Sequence, residues 1–190
     1  QRQMCIRDRE WLRQCPYVVC CDGAANTYIR SGRMPEAIVG DGDSLLPDIK
    51  ERYASLIHSE AEQETNDLSK AFRFCLSQER KRITIMGATG KREDHTIGNV
   101  SLLADYMEQA EVSMMTDYGI FVPIREDSMF ESYIGQQISV FNMNSTALSA
   151  EGLAYPLSVF TNWWQGTLNE ALARHFIIRT EGKVLVFRVF

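Results

Sequence analysis

No two cysteines in this sequence stand at a CxxC spacing, their number is odd at five, and Cys20 and Cys21 are neighbours. A disulfide framework or a zinc site needs spaced, paired thiols, so neither is supported, and reduced thiols in a cytoplasmic protein are expected. Long apolar runs are missing too. None approaches the roughly 18 residues of a membrane helix, and no signal-peptide pattern opens the chain, so no membrane contact is expected. Positive charge is in deficit: 20 Lys and Arg against 25 Asp and Glu leave a formal net charge of -5. That excludes a general nucleic-acid surface. What remains is ordinary globular material, 45% hydrophobic and 24% charged, with 190 residues to fill one large domain or two small ones.

From Tyr17 to about Asp117 short apolar runs alternate with longer amphipathic ones. The runs Tyr17–Cys21, Ala37–Val39, Ile83–Met86 and Val112–Met115 each end at Gly or Asp. Short buried strands separated by helices predict βαβ units and a mostly parallel sheet. Leu68, Ala71, Phe72, Cys75 and Leu76 form a helical stripe within Thr65–Gln78. Ile97, Val100, Leu103, Ala104 and Met107 form another within Asp94–Gln109. A short helix is expected around Glu10–Gln14, whereas Gln1–Arg9 is patternless and suggests that the true start of the domain is missing or replaced. Beyond Asp117 the texture becomes that of strands: Phe121–Arg125, Gln136–Met143, and Phe176–Phe190 folded at a Glu181-Gly182 turn. The expected fold is therefore α/β, an N-terminal mostly parallel α/β domain (1–118) followed by a C-terminal β-rich domain (119–190).

The chemistry is written in the placement of carboxylates. Asp22 follows one strand, and Asp41 and Asp43 follow the next in Gly40-Asp-Gly-Asp-Ser44. In a parallel sheet the carboxyl ends of the strands share one edge, where ligands bind, so these acids converge, and Asp67 at the next helix start can join them. Clustered carboxylates repel one another, and a hard cation such as Mg2+ relieves that repulsion. Asp22 by itself reads as a turn residue; the set reads as a cation site.

Gly87-Ala-Thr-Gly-Lys-Arg92 lies between a strand and a helix, where backbone N–H groups point outward toward anions. It is not a Walker A loop, because the spacing fails and Arg92 stands where Ser or Thr should be. Arg92 and Lys70 suit phosphate oxygens, and Lys70 equally suits an i, i+3 pair with Asp67. His95 is open to three roles, proton carrier, metal ligand or part of a cap, with Asp94 beside it as helix N-cap. Tyr155, Trp163 and Trp164 near Thr167-Leu-Asn-Glu170 suit either a flat cationic heterocycle or plain packing.

Taken in order, the motifs become specific. Cys21-Asp-Gly-Ala-Ala-Asn26, Ile38-Val-Gly-Asp-Gly-Asp-Ser44, Gln63-Glu-Thr-Asn-Asp67 with Lys70, and Gly87-Ala-Thr-Gly-Lys-Arg-Glu-Asp-His95 with Asn99 resemble thiamine pyrophosphokinases. Glu151–Leu157 and Gly166–Glu170 resemble that family's C-terminal motifs.

The resemblance implies a C-terminal β-sandwich, a homodimer with its site at the interface, and diphosphoryl transfer from ATP to the thiamine hydroxyl, releasing AMP. It implies Mg2+ on Asp41, Asp43 and Asp67, with Asp22, Ser44, Gln63 and Thr65 close by. Lys70, Arg92 and His95 would face the nucleotide phosphates, with Asp94 and Asn99 completing that edge, and Thr167 and Asn169 would border thiamine. Asp67 and Asp94 are both open as proton acceptors. The sequence departs from the family at Leu168, where Ser is usual, and in the opening strand and glycine loop, which Gln1–Arg9 does not reproduce. The residues also leave room for another Mg2+-dependent phosphoryl or nucleotidyl transferase, or for a non-catalytic ATP- or thiamine-binding regulator.

Overall fold

The structure is a computed structural model that describes residues 6–60, 62 and 64–190, with side chains from residue 10 onward. The chain forms two compact units, 1–81 and 82–190.

In the first unit three short strands, β1 (Val19–Cys21), β2 (Ala37–Gly40) and β3 (Ile57–Ser59), pair in parallel in the order β1-β2-β3. The registers Cys21↔Val39 and Gly40↔Ser59 bring all three carboxyl ends to one edge. Strand side chains alternate between faces, so each residue in a strand serves one of two cores. Cys20 and Ile38 pack with Ala25, Tyr28, Leu45 and Ile49 from α2 (Ala24–Arg30), α3 (Pro47–Arg52) and the loop between β2 and α3. Ala37 and Val39 meet Ala71 of α4 (Asp67–Ser77) on the other face. The helix expected over Thr65–Gln78 starts at Asp67 because Asn66 caps it, its side-chain oxygen accepting the Ser69 N–H. The expected N-terminal helix, α1, spans Ile6–Gln14; residues 1–5 of the patternless opening lie outside the described residues.

The second unit departs from the sequence expectation in its pairing. β4 (Arg82–Met86) and β5 (Glu111–Met115) are parallel to each other, but the sheet they belong to is mostly antiparallel. β5 turns directly into β6 (Gly119–Ile124), and a six-stranded sheet of order β10-β8-β12-β6-β5-β4 results. The turn is fixed by Thr116, whose hydroxyl oxygen accepts the N–H groups of Tyr118 and Gly119. A Cβ at position 119 would lie 2.2 Å from the Arg188 carbonyl oxygen, so glycine is obligatory there.

The remaining strands of the large sheet are β8 (Gln137–Asn142), β10 (Asn169–Glu170) and β12 (Val184–Val189). A smaller antiparallel sheet, β7-β11-β9, uses Ser128–Glu131, His175–Thr180 and Leu148–Glu151. Ile138, Val140, Val184 and Val186 of the large sheet share one core with Phe130, Phe176, Ile178 and Leu148 of the small one. The fold is thus mixed α/β with several sheets.

Two further expectations change. Phe176–Phe190 is not a hairpin: β11 belongs to the small sheet and β12 to the large one, so Glu181-Gly182 carries the chain from one sheet to the other. Gly182 allows that crossing at φ +125, with Asn144 and Ser145 packed against it. The helix expected over Asp94–Gln109 is two, α5 (Glu93–Ser101) and α6 (Leu103–Tyr106). Leu103, Tyr106 and Val100 are buried, but Ile97 is exposed, so the apolar stripe covers only the C-terminal part of α5.

Candidate functional site

The acidic loop between β2 and α3 is built by short-range constraints. Gly40 has φ +154, and a Cβ there would sit 2.7 Å from the Asp22 Cβ; glycine lets β1 and β2 bring their end residues together. Gly42 follows at φ +73. Asp22 Oδ2 accepts the Ser44 N–H at 3.1 Å, Asp41 Oδ1 accepts the Asp43 N–H at 3.1 Å, and the Ser44 hydroxyl donates to Asp43 Oδ1 at 2.9 Å. Asn26 then staples the far end of the loop. Its Nδ2 donates to the Ser44 carbonyl at 2.8 Å and its Oδ1 accepts the Leu46 N–H at 3.0 Å.

The result is a cluster in which oxygens of Asp22, Asp41 and Asp43 lie within 4.8 Å of one another, the one such group among the described residues. Asp22 is only 3% exposed, its backbone is held at φ 27, and among the described residues its Oδ1 has no hydrogen-bond partner. Burial pushes the Asp22 carboxyl above its ordinary value, the Ser44 bonds oppose that, and the charges of Asp67 and Asp41 add to it. Asp43, fully exposed, is held below its ordinary value chiefly by the Ser44 hydroxyl. A buried, partly strained carboxylate facing two others is costly unless a cation meets it.

Asp67 lies outside the 4.8 Å group, close enough for its charge to act on Asp22. Lys70, one turn along α4, is 3% exposed, with Nζ 3.5 Å from Asp67 Oδ1. A buried ammonium with so long an ion pair is suited to further negative charge. The Thr65 hydroxyl is already engaged. It donates to Glu62 at 2.6 Å and accepts from Arg73, which also reaches Glu60 at 2.8 Å. Thr65 therefore helps fold the loop before α4. Gln63 lies outside the described residues.

In the second unit Gly87, Ala88, Thr89, Lys91, Arg92, His95, Thr96 and Asn99 line an open cleft of about 340 Å³. Asn99 Nδ2 donates to the Ala88 carbonyl at 2.8 Å and so ties α5 to the glycine loop. Arg92, not Asp94, occupies the N-cap position of α5. Asp94 sits inside the first turn and is gripped by Arg92 through Nε at 3.1 Å and Nη2 at 2.5 Å. That guanidinium, aided by the His95 N–H, holds the Asp94 carboxyl below its ordinary value.

Further along, the Thr167 hydroxyl donates to the Trp164 carbonyl at 2.7 Å. Asn169 is buried and satisfied. Its Oδ1 accepts the Tyr155 and Glu170 N–H groups, and its Nδ2 donates to the Tyr155 carbonyl. It fixes the Tyr155 segment, while the side chains of Tyr155, Trp163, Trp164 and Leu168 remain exposed. Asn26 and Asn169 are residues whose work the sequence did not reveal, because Ser44, Leu46 and Tyr155 lie 14 to 20 positions from them.

Residues 9–115 match the family model "Thiamin pyrophosphokinase, catalytic domain", and residues 119–187 match "Thiamin pyrophosphokinase, substrate-binding domain". Thiamine pyrophosphokinase 1 of Oryza sativa is 30% identical over 140 residues, covering 60% of this chain and 51% of the relative. The Bacillus subtilis enzyme is 34% identical over 86 residues, covering 43% of this chain and 40% of the relative. The chain spans about half the length of the curated relatives it matches.

Among solved structures, thiamin pyrophosphokinase from Candida albicans superposes with a TM-score of 0.83 at 19% identity, covering 100% of this chain and 86% of the other. The Bacillus subtilis structure gives 0.79 at 21% identity, covering 91% and 87%. With both regions of the chain matched in order, the protein belongs to the thiamin pyrophosphokinase family.

Proposed function

We propose that the chain is a thiamine pyrophosphokinase, transferring the diphosphoryl group of ATP to the hydroxyl of thiamine and yielding thiamine diphosphate and AMP. The observation that carries this reading is the Asp22–Asp41–Asp43 cluster with a buried Asp22 oxygen that has no partner among the described residues. An all-oxygen donor set of this kind fits a hard cation, and Mg2+ suits it. Asp22, Asp41 and Asp43 would hold the ion, with Asp67 alongside in place of Asp22 as the neighbour. When bound, Mg2+ would neutralise charge on the phosphate oxygens.

The residues of the chain then have definable tasks. The thiamine hydroxyl oxygen bonds to the β-phosphorus as the bond from that phosphorus to the α-bridging oxygen breaks, and AMP leaves with that oxygen. Such a displacement needs positioning and charge compensation more than covalent help. Lys70 supplies a buried positive charge in the first unit. In the second, Arg92 would exchange Asp94 for phosphate oxygens, with the Gly87–Gly90 loop, His95 and Asn99 shaping the cleft. The hydroxyl proton passes to a carboxylate. Asp67 is one acceptor for it, and Asp94 becomes another once Arg92 has exchanged it for phosphate. Tyr155, Trp163 and Trp164 offer exposed aromatic faces to the cationic thiamine ring, bordered by Thr167 and held by Asn169.

The same proposal includes a homodimer, a cytoplasmic setting and a division between a catalytic part (1–118) and a thiamine-binding part (119–190). The ends of the two family matches, at 115 and 119, support the division. Exposed apolar side chains on the second unit support self-association. Among the described residues no helix is long and apolar enough to cross a membrane.

Purified protein with ATP, Mg2+ and thiamine should release AMP and thiamine diphosphate in equal amounts. Asp41→Asn should cut turnover by about 10²-fold or more, with little effect on folding, as expected for loss of a charge-stabilising group. AMP release that needs no thiamine, or an Asp41→Asn variant near wild-type turnover, would reject the reading.

A further inference from the structure

We infer that Lys50 is a positioning residue that sets the acidic loop for cation binding, an inference that rests on the reading of Asp22, Asp41 and Asp43 as a divalent-cation site. Lys50 lies in the last turn of α3, a helix that starts at Pro47 immediately after the loop. Its Nζ donates to the Gly42 carbonyl oxygen at 2.8 Å. The approach is close: a Cβ on Gly42 would come within 3.3 Å of Nζ and 3.5 Å of Cε. Gly42, at φ +73, is the tip of the loop, and the two carboxylates flank it.

The remaining ties divide into two kinds. Asp22 and Asn26 bond to Ser44 and Leu46 and so hold the exit of the loop. Within the tip, the bonds from the Asp43 N–H to Asp41 and from the Ser44 hydroxyl to Asp43 use the carboxylates themselves. A bound cation competes for those same oxygens. The Lys50 bond uses a backbone carbonyl, so it persists when the carboxylates turn to a cation. Lys50 thus holds Gly42 while Asp41 and Asp43 change partners.

The sign of the effect separates this role from simple electrostatics. An ammonium group beside the cluster repels a divalent cation, so removing its charge alone would tighten binding. Removing a tie that orients two ligands weakens it.

The test uses the full chain and Mn2+ alone as probe, with free Mn2+ followed by electron paramagnetic resonance and amide exchange followed over residues 41–44. Lys50→Met should weaken Mn2+ binding about tenfold, in the range usual for loss of an outer-shell partner. It should also speed exchange of the Asp43 and Ser44 amides. Lys50→Arg, which keeps a cationic donor, should stay close to wild type in both measurements. Mn2+ binding by Lys50→Met as tight as wild type or tighter, or unchanged amide exchange, overturns the inference while leaving the cation site intact. Wild-type protein that binds no Mn2+ overturns the cation-site reading itself.

Discussion

Replacing Asp22 by Asn should stabilise the metal-free protein and at the same time abolish its response to Mg2+. Asp22 is buried, its Oδ1 has no partner among the described residues, and the charges of Asp67 and Asp41 face it. A buried acceptor without a partner costs roughly 1–3 kcal/mol. Asn keeps the shape and an oxygen for the Ser44 N–H, and its amide group places a donor where Oδ1 now meets other carboxylates. Recovering about 1–3 kcal/mol in a chain of this size corresponds to a rise in Tm of about 2–12 °C.

The pH dependence has a definite sign. Because the folded-state pKa is raised, the folded protein holds this proton more tightly than the unfolded chain. Its contribution to stability is therefore greatest at low pH. That contribution falls as pH rises from about 4, the ordinary carboxylate value, through the raised folded value, and is constant above it.

Calorimetry in a chelator across that window should show the Tm advantage of Asp22→Asn absent at the acid end and full at neutral pH. Adding Mg2+ should raise the Tm of wild type and leave the variant unmoved, since a ligand stabilises only the state that binds it. A variant less stable than wild type at neutral pH without metal, or one stabilised by Mg2+ as much as wild type, refutes the reasoning.

Two further substitutions probe how the surroundings hold the site. Gly40→Ala would place a methyl group 2.7 Å from the Asp22 Cβ at φ +154, so urea denaturation should show a loss of about 1–3 kcal/mol, together with weaker Mn2+ binding. Asn169→Ala removes two hydrogen bonds that join Tyr155 to β10 and a third to the Glu170 N–H, and chemical denaturation should show a loss of about 2–3 kcal/mol; an unchanged midpoint would mean that the Tyr155 segment is held by something else.

Parts of this molecule were legible in the sequence for a simple reason. The acids at the ends of β1 and β2 meet because parallel pairing brings strand ends to one edge, a rule that needs no knowledge of the rest. The helix α4 was legible from its apolar period, but burial follows that stripe only at Ala71 and Phe72 and also takes in the polar Ser69 and Lys70. β3 was not, since Ile57-His-Ser59 carries a single apolar residue and no alternation. Strand patterns also say nothing about partners, so β11 and β12 read as a hairpin although they lie in different sheets. Asp94 looked like a cap because Asp is a good one, but the Arg92 guanidinium took its oxygens and the cap lies two residues earlier, at Arg92 itself. The contacts of Lys50 and Asn26 were invisible because their partners are backbone groups, which every residue carries.

The Thr116–Gly119 turn bears on how the chain can be divided for expression. The two family regions meet there, yet β5 and β6 are hydrogen-bonded across it, through Met114↔Phe121 and Met115↔Ile120. A gene cut near codon 118 would leave β6 paired with β12 but without β5, a bare, apolar strand border bearing Phe121. Such a border recruits strands from other molecules, so the C-terminal fragment should aggregate when made without β4 and β5.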